Sequence, residues 1–322
     1  RNVAMLCYYF PPLGGGGTPR SVKLVKYLGC FGYRPIVLTA DHAASAFKRE
    51  FQPDHAFERD LAGVDYRCVR IASPATDRLA RWQRKRWYRW PWASAYPWVR
   101  EAQRPWALAA ARWLCRLPPS QRPALLYASA APTSALEAAA RASRAIGVPW
   151  IADLRDLWTQ DTIAFYPSRW HYRWECHLER AVLCSAEKII ANTPLAAQTM
   201  RRWLGPELAE RVVVIPNGFD PEDIRPRSAT SDAEPANGSE TAAPDRPITI
   251  VHAGTLHDPG IVRSRLGRYR PAAIDATSRT LRPLLRGLEA LQALDRSTAS
   301  RLRIRQLGFA PDAWRAVSQH LL

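Results

Sequence analysis

The chain alternates short apolar runs with amphipathic stretches. Near its beginning, VAMLCYYF (residues 3–10) is an unbroken apolar run rich in β-branched and aromatic side chains, which predicts a buried strand. SVKLVKYLGCFG (residues 21–32) then carries apolar residues at helical spacing, and YRPIVLTA (residues 33–40) is a second apolar run. This order of strand, loop, helix and strand predicts a βαβ unit with parallel strands.

The loop between the first strand and the first helix contains four consecutive glycines, Gly14 to Gly17. Thr18 is a good N-cap and Pro19 suits the first helical position, so the loop is predicted to lead directly into the helix. Such a loop lies at the carboxyl edge of a parallel sheet, where free N–H groups and the helix dipole favour an anion such as a diphosphate. The stretch is neither a GxGxxG fingerprint nor a P-loop, and a plain flexible turn is the alternative interpretation.

The alternation continues as far as residue 218. The further predicted strands are PALLYAS (123–129), VPWIADLRDLW with its outgoing loop (148–158), EKIIANT (187–193) and RVVVIPN (211–217), with helical patterns between them. Strands that alternate with helices favour a parallel sheet covered on both faces. Residues 1–218 are therefore predicted to form one doubly wound, Rossmann-like α/β domain.

A second domain is predicted after a change of composition. Residues 219–247 are mostly polar, rich in Pro, Ser, Ala and Asp, and indicate a linker or flexible loop. ITIVHAGTL, LRPLLRGLEALQAL and LRIRQLGFA then start a new βα pattern. Residues 248–322 are expected to be the start of a second Rossmann-like domain that is truncated, because two strands and two helices make a poor core.

Composition narrows the partners and the chemistry. The 322 residues carry 46 basic and 29 acidic side chains, a formal charge of +17, which favours polyanions, phosphorylated ligands or an anionic membrane face. No apolar stretch approaches the length of about 18 residues that a membrane helix needs. The six cysteines form no CxxC pair and lie mostly in apolar runs, so buried free thiols are expected. The seven histidines have no metal-ligand spacing.

Several segments together carry a family resemblance. They are YYFPPLGGGGTPR after the first strand, SAAPTSAL, ADLRDLW, ANTPLAAQTM, VIPNGFDPEDI and HAGTLHD, in this order. In these segments the chain resembles the retaining glycosyltransferases of family 4, whose GT-B architecture has two facing Rossmann-like domains. The resemblance implies that the first domain binds the acceptor, that the second holds most of the nucleotide-sugar donor, and that neither a metal ion nor another cofactor takes part.

The resemblance also implies donor-binding residues. Gly14, Gly15, Gly16 and Gly17 would contact the donor diphosphate from the first domain, and Gly254 with Thr255 would face them from the second. Arg263 or Arg265 would add a cation, although a solvated basic loop is the alternative for both. Preorganised donors at this position would stabilise the charge that develops on the leaving phosphate.

Catalytic and acceptor-binding residues are expected at two other strand ends. Asp153, Arg155 and Asp156 form an acid–base–acid cluster at a strand's carboxyl end, where α/β sheets place ligands. One carboxylate would orient the acceptor or the sugar and another would brace Arg155; an ion pair that only holds the loop is the alternative. Ser129 and Thr133 would contact the acceptor, and a simple helix cap explains Thr133 equally well.

One family element is missing. Family members usually carry a Glu-x7-Glu element late in the second domain, which holds the donor sugar and ribose. The acidic residues after His252 do not have this spacing; they are Asp258, Asp275, Glu289, Asp295 and Asp312. Either the second domain is truncated or the chain is a non-catalytic nucleotide- or lipid-binding remnant of such an enzyme.

Residues 77–106 interleave tryptophans with basic residues. Trp82, Arg86, Trp87, Trp90 and Trp92 lie at the centre of this stretch. Tryptophan favours the headgroup level of a bilayer and basic residues are attracted to anionic lipid, so the stretch predicts membrane contact. Single-stranded nucleic acid and packing on the protein's own surface are the alternatives.

The function predicted from all these features is that of a cytoplasmic enzyme, peripheral on the inner membrane face. It would transfer a sugar from a UDP- or GDP-sugar to a lipid-linked glycan in bacterial surface-polysaccharide biosynthesis, with no nucleic acid as partner. A basic nucleic-acid-binding protein, driven by the charge of +17, is the rival from another class.

Overall fold

The computed structural model describes residues 1–41, 54–84, 101–161, 166–223, 247–253 and 282–307. They belong to two compact units, one with residues up to 223 and one with residues from 247. Some of the predicted site residues and segments lie outside the described residues: Gly254, Thr255, Arg263, Arg265, Arg86, Trp87, Trp90, Trp92, the side chain of Trp82 and most of the linker.

The first unit is built on a parallel sheet of seven strands. The parallel α/β sheet agrees with the sequence prediction, but the strand Arg67–Ile71 was not predicted. The strands are β1 (Asn2–Leu6), β2 (Arg34–Ala40), β3 (Arg67–Ile71), β4 (Leu125–Ala130), β5 (Trp150–Leu154), β6 (Lys188–Ala191) and β7 (Val212–Val214). Their spatial order is β3-β2-β1-β4-β5-β6-β7, so the direction of winding reverses between β1 and β4. Ligands of open α/β sheets bind outside the carboxyl ends of the strands at such a switch point.

Helices connect these strands and cover both faces of the sheet. They are α1 (Thr18–Leu28), α2 (Ala56–Asp60), α3 (Pro74–Arg84), α4 (Arg104–Cys115), α5 (Ser134–Ile146), α6 (Arg169–Leu183), α7 (Pro194–Leu204) and α8 (Pro206–Ala209). Val22 and Val25 of α1 pack on one face of the sheet, while α4, α5 and α7 contribute to a larger cluster around Leu126 on the other. Strands buried on both faces explain the unbroken apolar runs of the sequence.

The second unit contains one described pair of parallel strands. β8 (Ile248–Ala253) pairs with β9 (Leu302–Leu307) over six residues, and α9 (Arg282–Leu294) and α10 (Arg296–Ser300) lie between them in the chain. Asp295 caps α10 by accepting a hydrogen bond of 3.0 Å from the backbone N–H of Thr298. This strand–helix–strand order agrees with the apolar periodicity of the segment.

The prediction that the cysteines are buried is wrong for half of them. All six are free, but Cys30, Cys115 and Cys184 are exposed, and Cys7 alone is fully buried. The three exposed thiols lie at or just beyond the ends of α1, α4 and α6. At a helix end, apolar neighbours in the sequence do not place a side chain on the buried face.

The end of the tryptophan-rich stretch packs on the protein itself. Trp106 is fully buried and its ring meets that of Tyr8 edge to face, with 5.0 Å between the centroids. Arg104 is paired with Glu137 at 2.9 Å. At these two positions the prediction of a lipid-facing segment is wrong, because the first turn of α4 directs Trp106 at Tyr8 and Arg104 at Glu137 of α5.

Two carboxylates are buried between α6 and the loop that follows β5. Glu175 accepts a hydrogen bond of 2.7 Å from the indole nitrogen of Trp158, and Glu179 accepts from both the backbone and the hydroxyl of Thr159. Burial raises the pKa of Glu179 to about 7, although the bonds from Thr159 and Gln160 oppose this shift. The folded protein therefore holds a proton that the unfolded chain would release at lower pH.

This proton makes stability depend on pH. Because the folded pKa of Glu179 is about 7 and the ordinary value is 4.5, the folded state binds more protons between these values. The free energy of unfolding should therefore fall as pH rises through this interval and level off above it, by up to about 3 kcal/mol. Urea denaturation at a series of pH values measures the slope.

A glutamine removes the titration while keeping the shape of the side chain. The Glu179→Gln variant should have a flatter profile, whereas Glu187→Gln, at an exposed position, should keep the wild-type slope. An unchanged slope in Glu179→Gln would show that the buried carboxylate is not the titrating group.

Candidate functional site

The glycine loop follows β1 at the carboxyl edge of the sheet, and its glycines meet different constraints. Gly15 has a φ of 90°, in the left-handed region that glycine tolerates best. A Cβ on Gly14 would lie 2.7 Å from the Cβ of Asp54, so the close approach of the chain itself excludes a side chain there. Gly16 is exposed and has nothing within 4 Å of where a Cβ would stand. Gly16 is thus the glycine of these three that faces open space without a backbone requirement.

Arg155 lies against the fourth glycine. A Cβ on Gly17 would be 2.8 Å from Nη1 of Arg155 and 3.1 Å from the ring of Tyr9. The guanidinium donates to the carbonyl oxygens of Ala130 at 2.7 Å and Ala131 at 2.8 Å, at the end of β4. These bonds hold a cation between β4 and the first turn of α1, which is the switch point of the sheet.

The prediction that Thr18 caps α1 is wrong. Thr18 is the first helical residue, and the N-cap is Gly17, which offers no side-chain hydrogen bond. The buried Thr18 hydroxyl turns back and donates to the carbonyl oxygen of Leu13 at 2.8 Å, which closes the glycine loop on itself. The start of α1 therefore combines a helix N-terminus without a side-chain cap with the nearby guanidinium of Arg155, a combination that favours an anion.

Asp153 is fully buried beneath this corner, and its cationic partner is Arg20. The two side chains form a bidentate ion pair with two N–O distances of 2.9 Å, and the hydroxyls of Tyr127 and Ser129 also donate to the carboxylate. The contacts of Asp153 are thus with α1 and β4, whereas Arg155 binds backbone carbonyls and Asp156 is exposed. Adjacent positions at the end of β5 point in different directions.

Arg20 was missed by the sequence interpretation and has a wider role. Besides Asp153, it donates to the carbonyl oxygens of Ile215 at 2.9 Å and Pro216 at 3.1 Å, and to the side chain of Asn217 at 3.2 Å. It therefore joins α1, the end of β5 and the segment after β7. The sequence feature that could have indicated this role is the presence of an arginine in the first turn of the helix that starts at the glycine loop.

A second set of bonds fastens the same segment to α1. Asp220 accepts hydrogen bonds of 2.8 Å from Lys23, Lys26 and the hydroxyl of Tyr27. The bonds from Lys23 and Lys26 hold the pKa of Asp220 well below its usual range. Through Arg20 and Asp220, the segment leading out of the first unit is fixed along one side of α1.

The two predicted acceptor-binding residues bond to carboxylates of the chain itself. Thr133 donates to Glu101 from its backbone N–H at 2.8 Å and from its hydroxyl at 2.9 Å, and Ser134 N–H donates at 2.7 Å. Ser129 is directed at Asp153 at 3.4 Å. Glu101 thus occupies the N-terminus of α5, which leaves the N-terminus of α1 as the open one of this pair. No local signal connects Glu101 with a helix 32 residues further on.

A small pocket lies at the carboxyl ends of β2 and β3. It has a volume of about 30 Å³, and Tyr8, Asp41, Ser73, Asp77 and Trp106 are among its lining residues. The indole nitrogen of Trp106 is buried and has no hydrogen-bond partner among the described residues. A polar pocket of this volume has room for one or two water molecules.

The described residues contain neither a cluster of metal ligands nor a helix that could cross a membrane. In the parts of the chain that the structure describes, no group of three or more His, Cys, Asp or Glu side chains is placed to hold a metal ion. Over the same residues, no helix has the length and apolar character needed to cross a bilayer.

The fold is that of a parallel α/β protein whose glycine loop and Arg155 lie at the switch point of the sheet. The model of the family described as Glycosyl transferase 4-like domain matches residues 15–218, which is more than half of the chain. The chain therefore belongs to this glycosyltransferase family. A search of the curated proteins finds no sequence match.

Solved structures with a similar fold are glycosyltransferases and related enzymes. The Anabaena protein Alr3699/HepE in complex with UDP and glucose has 14% identity and a TM-score of 0.45, covering 96% of this chain and 70% of that chain. Sucrose-phosphate synthase from Thermosynechococcus elongatus has 15% identity and a TM-score of 0.47, and the match covers 100% of this chain and 73% of that chain. The lipopolysaccharide outer core galactosyltransferase WaaB has 10% identity and a TM-score of 0.41, and the match covers 99% of this chain and 71% of that chain. At these scores, the likenesses add nothing to what the family match shows.

The ion pair beneath the site should be important for stability. Arg20→Met leaves the buried carboxylate of Asp153 without its cation, which is expected to lower the free energy of unfolding by about 3–5 kcal/mol. The double variant with Asp153→Asn should lose less than the sum of the two single variants, since the pair interacts directly. Urea denaturation of the four proteins gives the coupling energy.

An exposed pair serves as the control. Arg34 and Asp65 are also 2.9 Å apart, but their side chains are 56% and 76% exposed. Arg34→Met should therefore cost about 1 kcal/mol or less. If Arg20→Met costs no more than Arg34→Met, the structural role assigned to Arg20 is wrong.

Proposed function

We propose that the protein transfers a sugar from a nucleoside diphosphate to a hydroxyl acceptor, with the donor diphosphate at the N-terminus of α1. The observation that carries this proposal is the guanidinium of Arg155, held against Gly17 beside a helix start without a side-chain cap. Membership of a glycosyltransferase family supports the reaction class. The open face at Gly16 leaves room for the phosphate.

The proposed chemistry follows from where charge develops. As the bond between the anomeric carbon and the β-phosphate oxygen breaks, negative charge collects on that phosphate. Arg155 and the N–H groups of the loop stabilise this charge, because they are already oriented before the reaction. The acceptor hydroxyl forms the new bond to the anomeric carbon and its proton passes to the leaving phosphate, with attack from the same face and retention of configuration. In this scheme Arg155 supplies the positive charge that a metal ion would otherwise provide.

The three residues at the end of β5 then have separate roles. Asp153 is a positioning residue, because its carboxylate is fully buried and bonded to Arg20 and Tyr127. Arg155 binds the diphosphate. Asp156 is exposed and is the carboxylate of this set that is available to orient an acceptor hydroxyl.

The acceptor and the location are also part of the proposal. A lipid-linked glycan as acceptor, a role in surface-polysaccharide biosynthesis and a peripheral position on the inner membrane face are favoured by the charge of +17 and by the tryptophan–arginine stretch. Membrane contact through Trp82, Arg86, Trp87, Trp90 and Trp92 belongs to this proposal. A UDP- or GDP-sugar is the proposed donor.

Calorimetric titration with nucleotides tests the donor site. In the full-length protein, Arg155→Met should weaken UDP or GDP binding by about 10–100-fold, because a hydrogen bond to a charged group contributes about 1.5–3 kcal/mol. Gly16→Val should also weaken it, since the new side chain fills the space left for the phosphate. UMP should bind more weakly to the wild type and lose less in both variants.

Arg144→Met is the matched control, because this exposed arginine lies at the far end of α5. It should leave the nucleotide affinity unchanged. Equal UDP and GDP affinity in Arg155→Met and the wild type would contradict the proposed site. Binding of oligonucleotides with a steep salt dependence, and of no nucleoside diphosphate, would instead favour the nucleic-acid-binding alternative.

A further inference from the structure

Helix α6 carries two tryptophans whose rings are exposed to different extents. Trp170 is 77% exposed and Trp174, one turn further on, is 38% exposed. By contrast, Trp106 and Trp150 are fully buried in the core. A tryptophan that is three-quarters exposed leaves a large apolar area in water, which favours contact with another surface.

Cationic side chains share this outward side of α6. Arg169, Arg173 and Arg180 are exposed, and the guanidinium of Arg173 lies over the ring of Trp170 at 5.9 Å from its centroid. Positions 169, 170, 173, 174, 177 and 180 recur at helical spacing and form one face. We call these six residues the Trp–Arg face.

The negative charges of α6 point the other way. Its acidic residues are Glu175 and Glu179, and both are buried against the loop after β5. The Trp–Arg face therefore carries no carboxylate from its own helix. Aromatic rings together with cations, without neighbouring acids on the helix, complement a surface that is anionic outside and apolar beneath.

The orientation of α6 places the tryptophans near the crevice edge. A helix that follows a parallel strand starts at the carboxyl edge of the sheet, and α6 follows β5. Trp170 and Trp174 lie in its first turns, on the edge that also carries the glycine loop. A bilayer at this face would lie beside the edge of the sheet where the proposed reaction takes place.

From these observations we propose that the Trp–Arg face docks on an anionic lipid surface. Tryptophan prefers the headgroup level, and each basic residue near anionic lipid adds about a fivefold gain in binding. The residues of this face are different from those of the tryptophan–arginine stretch around Trp87 in the sequence. The inference deepens the membrane association of the proposed function and rests on that function for its meaning, but vesicle binding is measured without sugar transfer.

Co-sedimentation with vesicles tests the face. The full-length protein should bind vesicles of equal parts phosphatidylglycerol and phosphatidylcholine, and should bind those of phosphatidylcholine alone much less. Arg173→Gln should lower binding about fivefold. Trp170→Gln should lower it about tenfold, through the apolar area that the ring buries in the interface. Circular dichroism melts establish that the variants are folded.

Phe31→Gln is the control, because Phe31 is 75% exposed, nearly as much as Trp170, but lies at the opposite edge of the sheet after α1. It should bind the mixed vesicles as the wild type does. If the wild type does not bind them, or if Trp170→Gln and Arg173→Gln bind as strongly as Phe31→Gln, the inference is wrong. Loss of oligonucleotide binding without loss of vesicle binding in these variants would also overturn it.

The same variants separate this inference from the proposed function. Trp170→Gln should keep the nucleotide affinity of the wild type, since the residue is not part of the glycine loop or its partners. A protein that binds vesicles through this face but no nucleoside diphosphate would leave the inference standing and remove the donor site.

Discussion

The position of α1 depends on the buried pair between Arg20 and Asp153. Arg20 belongs to α1, Asp153 ends β5, and the remaining donors of the guanidinium hold the carbonyls of Ile215 and Pro216. Removing two charges from water costs free energy that their attraction recovers only with good geometry and further hydrogen bonds, and both are present here. Because the glycine loop leads directly into α1, the position of the loop depends on this pair as well.

The four glycines are explained mainly by the protein's own packing. Gly14 makes room for Asp54, Gly17 makes room for Arg155, and Gly15 supplies a left-handed backbone. A cation thus comes close to the helix start because no Cβ stands between them. The glycine run and Arg155 depend on each other, because a side chain at Gly17 would displace the guanidinium from the helix start. The room left for a ligand is the open side of Gly16.

The fold was predictable from the sequence to a greater extent than the site. Buried parallel strands need continuous apolar runs, and amphipathic helices need apolar residues at helical spacing, so both kinds of element leave local patterns. The partners of Asp153 leave none. Its neighbours in the sequence, Arg155 and Asp156, suggested a cluster, but β5 ends at Leu154, and both of these residues lie in the loop beyond it, where the regular alternation of a strand no longer sets the direction of a side chain. Arg20 lies 133 residues away, and Glu101 reaches Thr133 across 32 residues, so only the folded chain brings these groups together.

Several carboxylates of the first unit lie inside the fold rather than on its surface. Glu137, Asp153 and Asp220 are buried and paired with cations, and Glu175 and Glu179 are buried on the inner side of α6. Glu179, with a pKa of about 7, is partly protonated near neutral pH and contributes less than a full negative charge. The arginines of α6, by contrast, remain outside. In the described part of the first unit, these buried acids therefore fix elements against one another, while other acids such as Asp65 and Glu222 stay at the surface.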